Sequence, residues 1–281
     1  MKKILILITA LAILAGCTAK VKVSVVKDNG KKAIVMVHFG TTHDTTRNLT
    51  IDAVNRQVET AFRESDVFEA YTSRIVIKRL KDRGIVKRTP IEVLDSLSDA
   101  GYKTVTLQPT HIIPGKEYQM LLAEADSLKS RFNEIKIGKP LLFSIEDSHV
   151  VAGILAARNP SENPSHHILY VGHGTDDPAT AVYSQIDYIF RAQGFGNSHV
   201  ATIEGYPTLD NAIDLLKKAN AKKVTLVPLM FVAGNHAVND ISVEWKKALE
   251  ENGFQVELKI EGLGQIPQIR NLFINHILEA K

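Results

Sequence analysis

A single cysteine, Cys17, occurs in this chain of 281 residues, which excludes disulfides within the chain and metal sites built on thiolates. Nor is there a surplus of one charge: 34 Lys and Arg face 31 Asp and Glu, for a formal net charge of +3. No basic run is interleaved with aromatics, so nucleic acid is set aside as a partner. The phosphate-cradling G-x-x-x-x-G-K-[ST] loop, the H-E-x-x-H zinc helix and the G-x-S-x-G nucleophile elbow are all missing. Gly172-His173-Gly174 and Gly194-Phe195-Gly196 lack the third glycine and the context of a dinucleotide fingerprint. Neither ATP nor NAD is implied.

What is present begins with an address. Lys2 and Lys3 form a charged start, residues 4–14 an apolar run too short to span a bilayer, and Leu14-Ala15-Gly16-Cys17 a small-residue processing site. This resembles a bacterial lipoprotein signal. The resemblance implies that residues 1–17 form the signal, that Cys17 becomes the lipid-modified first residue of the mature protein, and that residues 18–32 are a polar tether. The expected place is a membrane, held through the acyl chains on Cys17, on a periplasmic or outer-membrane face. Thr18 rather than Asp follows the cysteine, which is compatible with export to an outer membrane.

With 44% apolar residues the remainder can bury a substantial core, and an internal repeat says how it divides. Residues 89–117 align without a gap on residues 208–236: Thr89 meets Thr208, Pro109 meets Pro228, Gly115 meets Gly234, and Glu117 meets His236. A second match lays Gly40 on Gly174, and with it Phe39 on His173. Short apolar runs at 33–37, 104–108, 167–171 and 199–203 predict strands, and residues 68–73 are a further strand candidate. They alternate with segments of helical spacing, among them the capping box Thr89-Pro90-Ile91-Glu92. A strand is expected within 135–143, broken by Gly138 and Pro140, a small helix over 149–157, and a helix over 238–252. The fold class is α/β: two similar Rossmann-like lobes, each a mainly parallel sheet flanked by helices, with the active cleft between them. The N-terminal lobe is placed at 33–158, a Pro- and Ser-containing linker at 159–166, and the C-terminal lobe at 167–281.

Functional groups of open α/β sheets gather where loops leave the carboxyl ends of the strands. His38 or Phe39, Glu117, His173, Glu204 and His236 all fall just past an expected strand end. Imidazole and carboxylate together suit a divalent first-row metal, and open coordination positions suit a site that exchanges its ligands. His173 and His236 are the expected ligands. Glu117 and Glu204 are candidates for a further ligand or a base, with the choice between them open, and His173 is also a candidate for proton work. A histidine between glycines is by itself an ordinary turn residue; the repeat is what gives these positions weight. His38, Phe39, His43 and His111 are candidate substrate contacts around the same crevice. His149, His166, His167, His199 and His276 fall in helices, linker or strand starts, where a structural role is the plain reading. The basic cluster Lys78, Arg79, Lys81, Arg83, Lys87 and Arg88 reads first as a solvated helix face and, more sharply, as a landing strip for a polycarboxylate.

Taken together, His38-Phe39-Gly40-Thr41-Thr42-His43, Pro114-Gly115-Lys116-Glu117-Tyr118, Gly172-His173-Gly174-Thr175, Glu204-Gly205-Tyr206-Pro207 and Ala233-Gly234-Asn235-His236 with Asn239-Asp240 carry a family likeness. The chain resembles the class II tetrapyrrole chelatases, most closely the CbiK-type anaerobic cobalt chelatases, over nearly the whole mature sequence. The resemblance implies two chelatase-like lobes around a porphyrin-sized cleft, a metal held by His173 and His236, and a glutamate at Glu117 or Glu204. It implies ATP-independent insertion of Co2+, or else Fe2+ or Ni2+, into sirohydrochlorin for cobalamin biosynthesis, the metal being a substrate. The lipoprotein signal departs from the soluble family and raises a second expectation, a haem- or porphyrin-binding lipoprotein serving iron acquisition. A non-catalytic two-lobed solute-binding lipoprotein is the third. A homo-oligomer is left open.

Overall fold

The computed structural model describes residues 30–234 and 237–281, so Cys17 with the signal, most of the tether, and His236 lie outside the described residues. Two four-stranded sheets form the framework, and every strand pairing is parallel. The first has the order β2-β1-β3-β4, from β1 (Lys31–His38), β2 (Asp66–Tyr71), β3 (Tyr102–Pro109) and β4 (Glu134–Ile137). The second has the order β6-β5-β7-β8, from β5 (His166–Gly174), β6 (Ser198–Glu204), β7 (Lys223–Pro228) and β8 (Gln255–Leu258). Parallel strands covered on both faces need apolar side chains on both, which is why the central strands read as continuous apolar runs. Along β1, Ala33, Val35 and Val37 enter one core while Ile34 and Met36 enter another.

The second of those cores is shared. Ile34 and Met36 from the first sheet join Ile168, Tyr170 and Val227 from the second, and Leu229 and Phe231 just beyond β7, in one cluster. Four helices contribute to it, α2 (Ile51–Ala61), α6 (Ile145–Arg158), α7 (Ala181–Ala192) and α10 (Pro267–Leu278), together with Tyr71, Leu80, Leu141, Leu142, Val200, Leu263 and Ile266. The outer face of the first sheet is covered by α4 (Pro90–Asp99) and α5 (Lys116–Leu128). That of the second is covered by α8 (Leu209–Lys218), α9 (Lys246–Glu251) and the turns before α9. Two short helices, α1 (Asp44–Leu49) and α3 (Arg74–Lys81), follow β1 and β2.

The covering helices are exchanged between the halves of the chain. α6 packs on α7, whereas α10 packs on α2, α6 and β3. His276 on α10 fixes this docking, with Nδ1 at 3.0 Å from the Lys139 carbonyl and Nε2 at 3.1 Å from an Asp147 oxygen. The last residue of the chain then meets the first sheet, where the Ile137 N–H donates to the Lys281 carbonyl at 3.1 Å.

The repeat holds in three dimensions. Both α4 and α8 begin with a capping box, Thr89 with Glu92 and Thr208 with Asn211. Both are followed by a left-handed residue, Gly101 at φ +83° and Asn220 at φ +54°, the two residue types that tolerate that region best. Both third strands end in proline, and the next residue bonds back to the first strand: Thr110 N–H to Val37 O and Leu229 N–H to Val171 O, each at 2.8 Å.

The short strand expected within 135–143 and broken by Gly138 is β4, which ends at Ile137; a side chain at Gly138 would collide with Gln108. Other local expectations are corrected. The helix placed at 149–157 starts earlier, at Ile145, behind a Ser144–Asp147 capping box. The helix expected over 238–252 begins as a π-helix, Ala237–Trp245, before continuing as α9. β5 runs two residues past Gly172, so His173 sits on a strand end and not in a loop. Among the described residues no helix is long and apolar enough to cross a membrane.

Candidate metal centre

His173 is the penultimate residue of β5, half-buried, with Nδ1 at 3.1 Å from the Gly174 carbonyl. Glu204 is the last residue of β6, exposed, and pairs in register with Gly174. Gly174 has φ +80°, and any side chain there would run into the Glu204 carbonyl. A glycine is therefore what lets the two strand ends close up. Neighbouring strands lie roughly 5 Å apart, so the imidazole and the carboxylate start from adjacent strand ends.

Glu117 reaches the same region from the other half. It lies exposed in the first turn of α5, whose N-cap is Gly115. The loop that carries it touches the loop after β5: Lys116 pairs with Asp176, and Gly115 faces Ala179. Tyr183 joins the two sides. Its ring fills the space in front of Gly172, where a side chain would collide with it. Burial pushes its hydroxyl up to about 12, against a backbone hydrogen bond from Gly174, and the negative charge of Glu117 adds to the rise. Glu117 is thus within electrostatic reach of the hydroxyl that touches the residue after His173.

The segment leading to position 236 is braced from both halves. Thr46 Oγ1 donates to the Ala233 carbonyl at 3.5 Å, and the Met230 and Phe231 carbonyls accept from Leu263 and Gly264 at 2.8 and 3.0 Å. His236 itself lies outside the described residues. Among the described residues no group of three or more His, Cys, Asp or Glu is close enough to hold a metal ion.

The remaining candidates belong to the first half: His38 ends β1, and Phe39, His43 and His111 follow β1 or β3. His38 is wholly buried between the halves, stacked on Phe231 at 6.0 Å between ring centroids and edge-on to Tyr71 at 6.2 Å. Asn55 Nδ2 donates to Glu69 at 3.2 Å, so Asn55 Oδ1 is left to accept from His38 Nε2 at 3.0 Å. His38 Nδ1 then accepts from the Thr110 hydroxyl at 2.9 Å. Both ring nitrogens are engaged, and burial pulls the imidazole down to about 4, so it is neutral. His111 is half-buried with both ring nitrogens buried and without a hydrogen-bond partner among the described residues; burial and His38 pull it to about 4 as well. Phe39 is 45% exposed at the rim. His43 is exposed at the start of α1, its N–H on Thr41 Oγ1 at 3.2 Å. A surface concavity of about 590 Å³ between α6 and the start of α10 is lined by Gly153, Ile154, Ala157, Arg158, Ile266 and Gln268, none of which is a candidate site residue.

Residues 32–281 match the family model of the cobalt chelatases (CbiK). The chain belongs to that family. It is 35% identical over 255 residues to a sirohydrochlorin cobaltochelatase of Salmonella typhimurium, covering 89% of this chain and 96% of the relative. It is 28% identical over 257 residues to the sirohydrochlorin cobaltochelatase CbiKC of Nitratidesulfovibrio vulgaris, covering 89% and 90%. In fold it is similar to SirB from Bacillus subtilis with Fe3+, at a TM-score of 0.65 and 16% identity over 89% of this chain and 95% of that one. Residues 1–18 match a prokaryotic membrane lipoprotein lipid attachment site, which supports a cobalt chelatase family member anchored to a membrane by lipid.

Tyr183 and the Lys116–Asp176 pair were not singled out from sequence. An isolated glycine inside a strand pattern is a signal of close approach, and Gly172 was such a signal, but nothing in the sequence says which ring approaches.

Proposed function

We propose that this chain is a membrane-anchored sirohydrochlorin cobaltochelatase that inserts Co2+ into the tetrapyrrole without ATP, in an anaerobic route to cobalamin. The observation that carries the reading is the 35% identity across 96% of the Salmonella enzyme. Insertion requires a hydrated cation to shed water stepwise while pyrrole N–H protons leave. His173 and His236 replace water as ligands, and a carboxylate holds charge and accepts protons. The adjacency of the His173 and Glu204 strand ends supports Glu204 as a ligand. The position of Glu117 across the cleft, in reach of Tyr183, supports it as the proton acceptor. Phe39, His43 and His111 line the first-half wall, with His38 beneath them as a buried support. The lobe division at 33–158 and 167–281 is part of this reading.

A second reading, haem or porphyrin handling in iron acquisition, is favoured by one observation, the lipid attachment site at residues 1–18. That site supports anchoring at Cys17 on a periplasmic or outer-membrane face. The chain without its signal, mixed with sirohydrochlorin or with haem and with or without Co2+ or Fe2+, separates the readings by absorption spectroscopy. Cobalt-dependent conversion of sirohydrochlorin is expected. Loss of iron from haem with no conversion of sirohydrochlorin would overturn the first reading in favour of the second.

A further inference from the structure

The two halves differ by an insertion that the sheets do not need. In the second half, β6 connects to the cap of α8 through Gly205, Tyr206 and Pro207 alone. In the first half the same connection, from β2 to the Thr89 cap of α4, takes residues 72–88 and includes α3. Since three residues suffice to join equivalent elements, α3 is there for something other than chain connection.

Its placement and chemistry are specific. The insertion starts at the carboxyl end of β1, next to the candidate site residue Phe39, where the N–H groups of Thr72 and Ser73 donate to the His38 and Phe39 carbonyls at 2.8 and 3.2 Å. It is tied to the loop after β1 at its other end, where Arg83 donates to the Thr42 carbonyl at 2.5 Å and pairs with Asp44. Leu80 anchors the helix in the shared core, with Val76 and Ile77 packed against it. Seven of its residues are basic: Arg74, Lys78, Arg79, Lys81, Arg83, Lys87 and Arg88, against Asp82 as the single acid. Lys87 is used internally on Glu69, and Arg88 on Ser96. Lys78, Arg79 and Lys81 are exposed and, among the described residues, have no carboxylate within ion-pair distance. Ile75, Lys78 and Arg79 share one helix face at i, i+3 and i+4, and Ile75 is 66% exposed. An apolar side chain beside unpaired cations at a rim suits a flat macrocycle fringed with carboxylates, and guanidinium is the group that meets carboxylate in a fork.

We propose that α3 is a specificity element of the cleft: Lys78 and Arg79, with Ile75, take the peripheral carboxylates of the tetrapyrrole and so select polycarboxylate macrocycles over those with few. This rests on the chelatase reading above and adds what selects its substrate. The test uses the full chain in mild non-ionic detergent and three metal-free probes, uroporphyrin, coproporphyrin and mesoporphyrin, whose carboxylate count falls in that order. The parent should bind them with affinity falling in the same order. A Lys78→Glu/Arg79→Glu variant, altered only at exposed positions, should lose about tenfold or more for uroporphyrin and less than about twofold for mesoporphyrin, flattening the order. A charge-matched Lys129→Glu/Lys218→Glu variant should keep the parental order. Parental affinity for uroporphyrin in the α3 variant, or an equal loss for all three probes, overturns the role of α3 while leaving the chelatase reading in place. Failure of the parent to bind any of the three overturns both.

Discussion

The two halves are built on one plan and differ where the strands end. With Gly40 laid on Gly174, His173 corresponds to Phe39. The strand registers, His38 with Tyr71 and Gly172 with Thr202, then place Ser73 opposite Glu204 in the comparison. The longer repeat places Glu117 opposite His236. The second half therefore presents His, Glu and His where the first presents Phe, Ser and Glu. Beneath them the difference reverses. His38, buried and bonded through both nitrogens, occupies the place where the second half has Gly172 with the Tyr183 ring packed over it. In the proposed reading the second half concentrates the candidate ligands, and the first half adds the candidate carboxylate Glu117 and the buried, doubly bonded His38. The two halves share strand order and caps, and differ in the residues at their strand ends.

The largest effect should come from testing that asymmetry at its sharpest point. His173→Ala is expected to lower Co2+ insertion by about a hundredfold or more, since even groups that only orient a metal ligand are worth 10–100-fold. Phe39→Ala, at the equivalent place, should cost less than about tenfold and act mainly on KM. A Phe39→His/His173→Ala double variant should stay inactive, with circular dichroism matching the parent in every case. Recovery of activity in the double variant would mean that the halves are interchangeable.

Next come the carboxylates. Glu204→Gln should weaken Co2+ binding measured by titration, by about tenfold or more. Glu117→Gln should leave Co2+ affinity nearly unchanged and remove the acidic limb of the pH–rate profile. The reverse pattern would exchange their roles.

Acid should reveal the buried imidazoles. Burial holds His38 and His111 near 4, below the ordinary 6.5, and His199 near 3. Their folded-state values are depressed, so below 6.5 the unfolded chain binds protons that the folded chain does not. Stability should be level above pH 6.5 and fall between 6.5 and about 4, by about 1.4 kcal/mol per pH unit for each such group. Urea midpoints across that range measure it. His38→Asn should flatten the slope, and an unchanged slope would show that His38 does not stay neutral.

The smallest effect concerns the floor. Gly172→Ala should destabilise by about 1–3 kcal/mol, since the added methyl meets the Tyr183 ring and core overpacking costs that much. His38→Ala should cost a similar amount for a different reason, leaving Asn55 and Thr110 without their partner. Thermal denaturation of both, with Tyr183→Phe in the Gly172→Ala background giving no relief, separates a steric origin from a polar one.

Much of the frame was legible because its signals are local. Thr89-Pro90-Ile91-Glu92 is a helix start whatever surrounds it, and Gly101 and Asn220 mark stops by the same backbone preference. The Ser144–Asp147 box is an equally local signal, and it sets the start of α6 ahead of the apolar spacing further along that helix. The site was legible only as a set of strand-end residues in a repeat. His38 shows the limit: it lies next to Phe39 in sequence, yet its ring is buried under the other half while Phe39 is exposed.

The sequence by itself determined the α/β alternation, the two parallel sheets and which residues lie at strand ends, because caps, apolar runs and strand alternation are fixed by neighbours along the chain. Only the tertiary structure decided that α10 returns to cover α2 and β3, that Tyr183 fills the space at Gly172, and that Lys116 meets Asp176 of the other half. Those depend on which apolar faces find each other, and an apolar helix face carries no mark of the sheet it will cover.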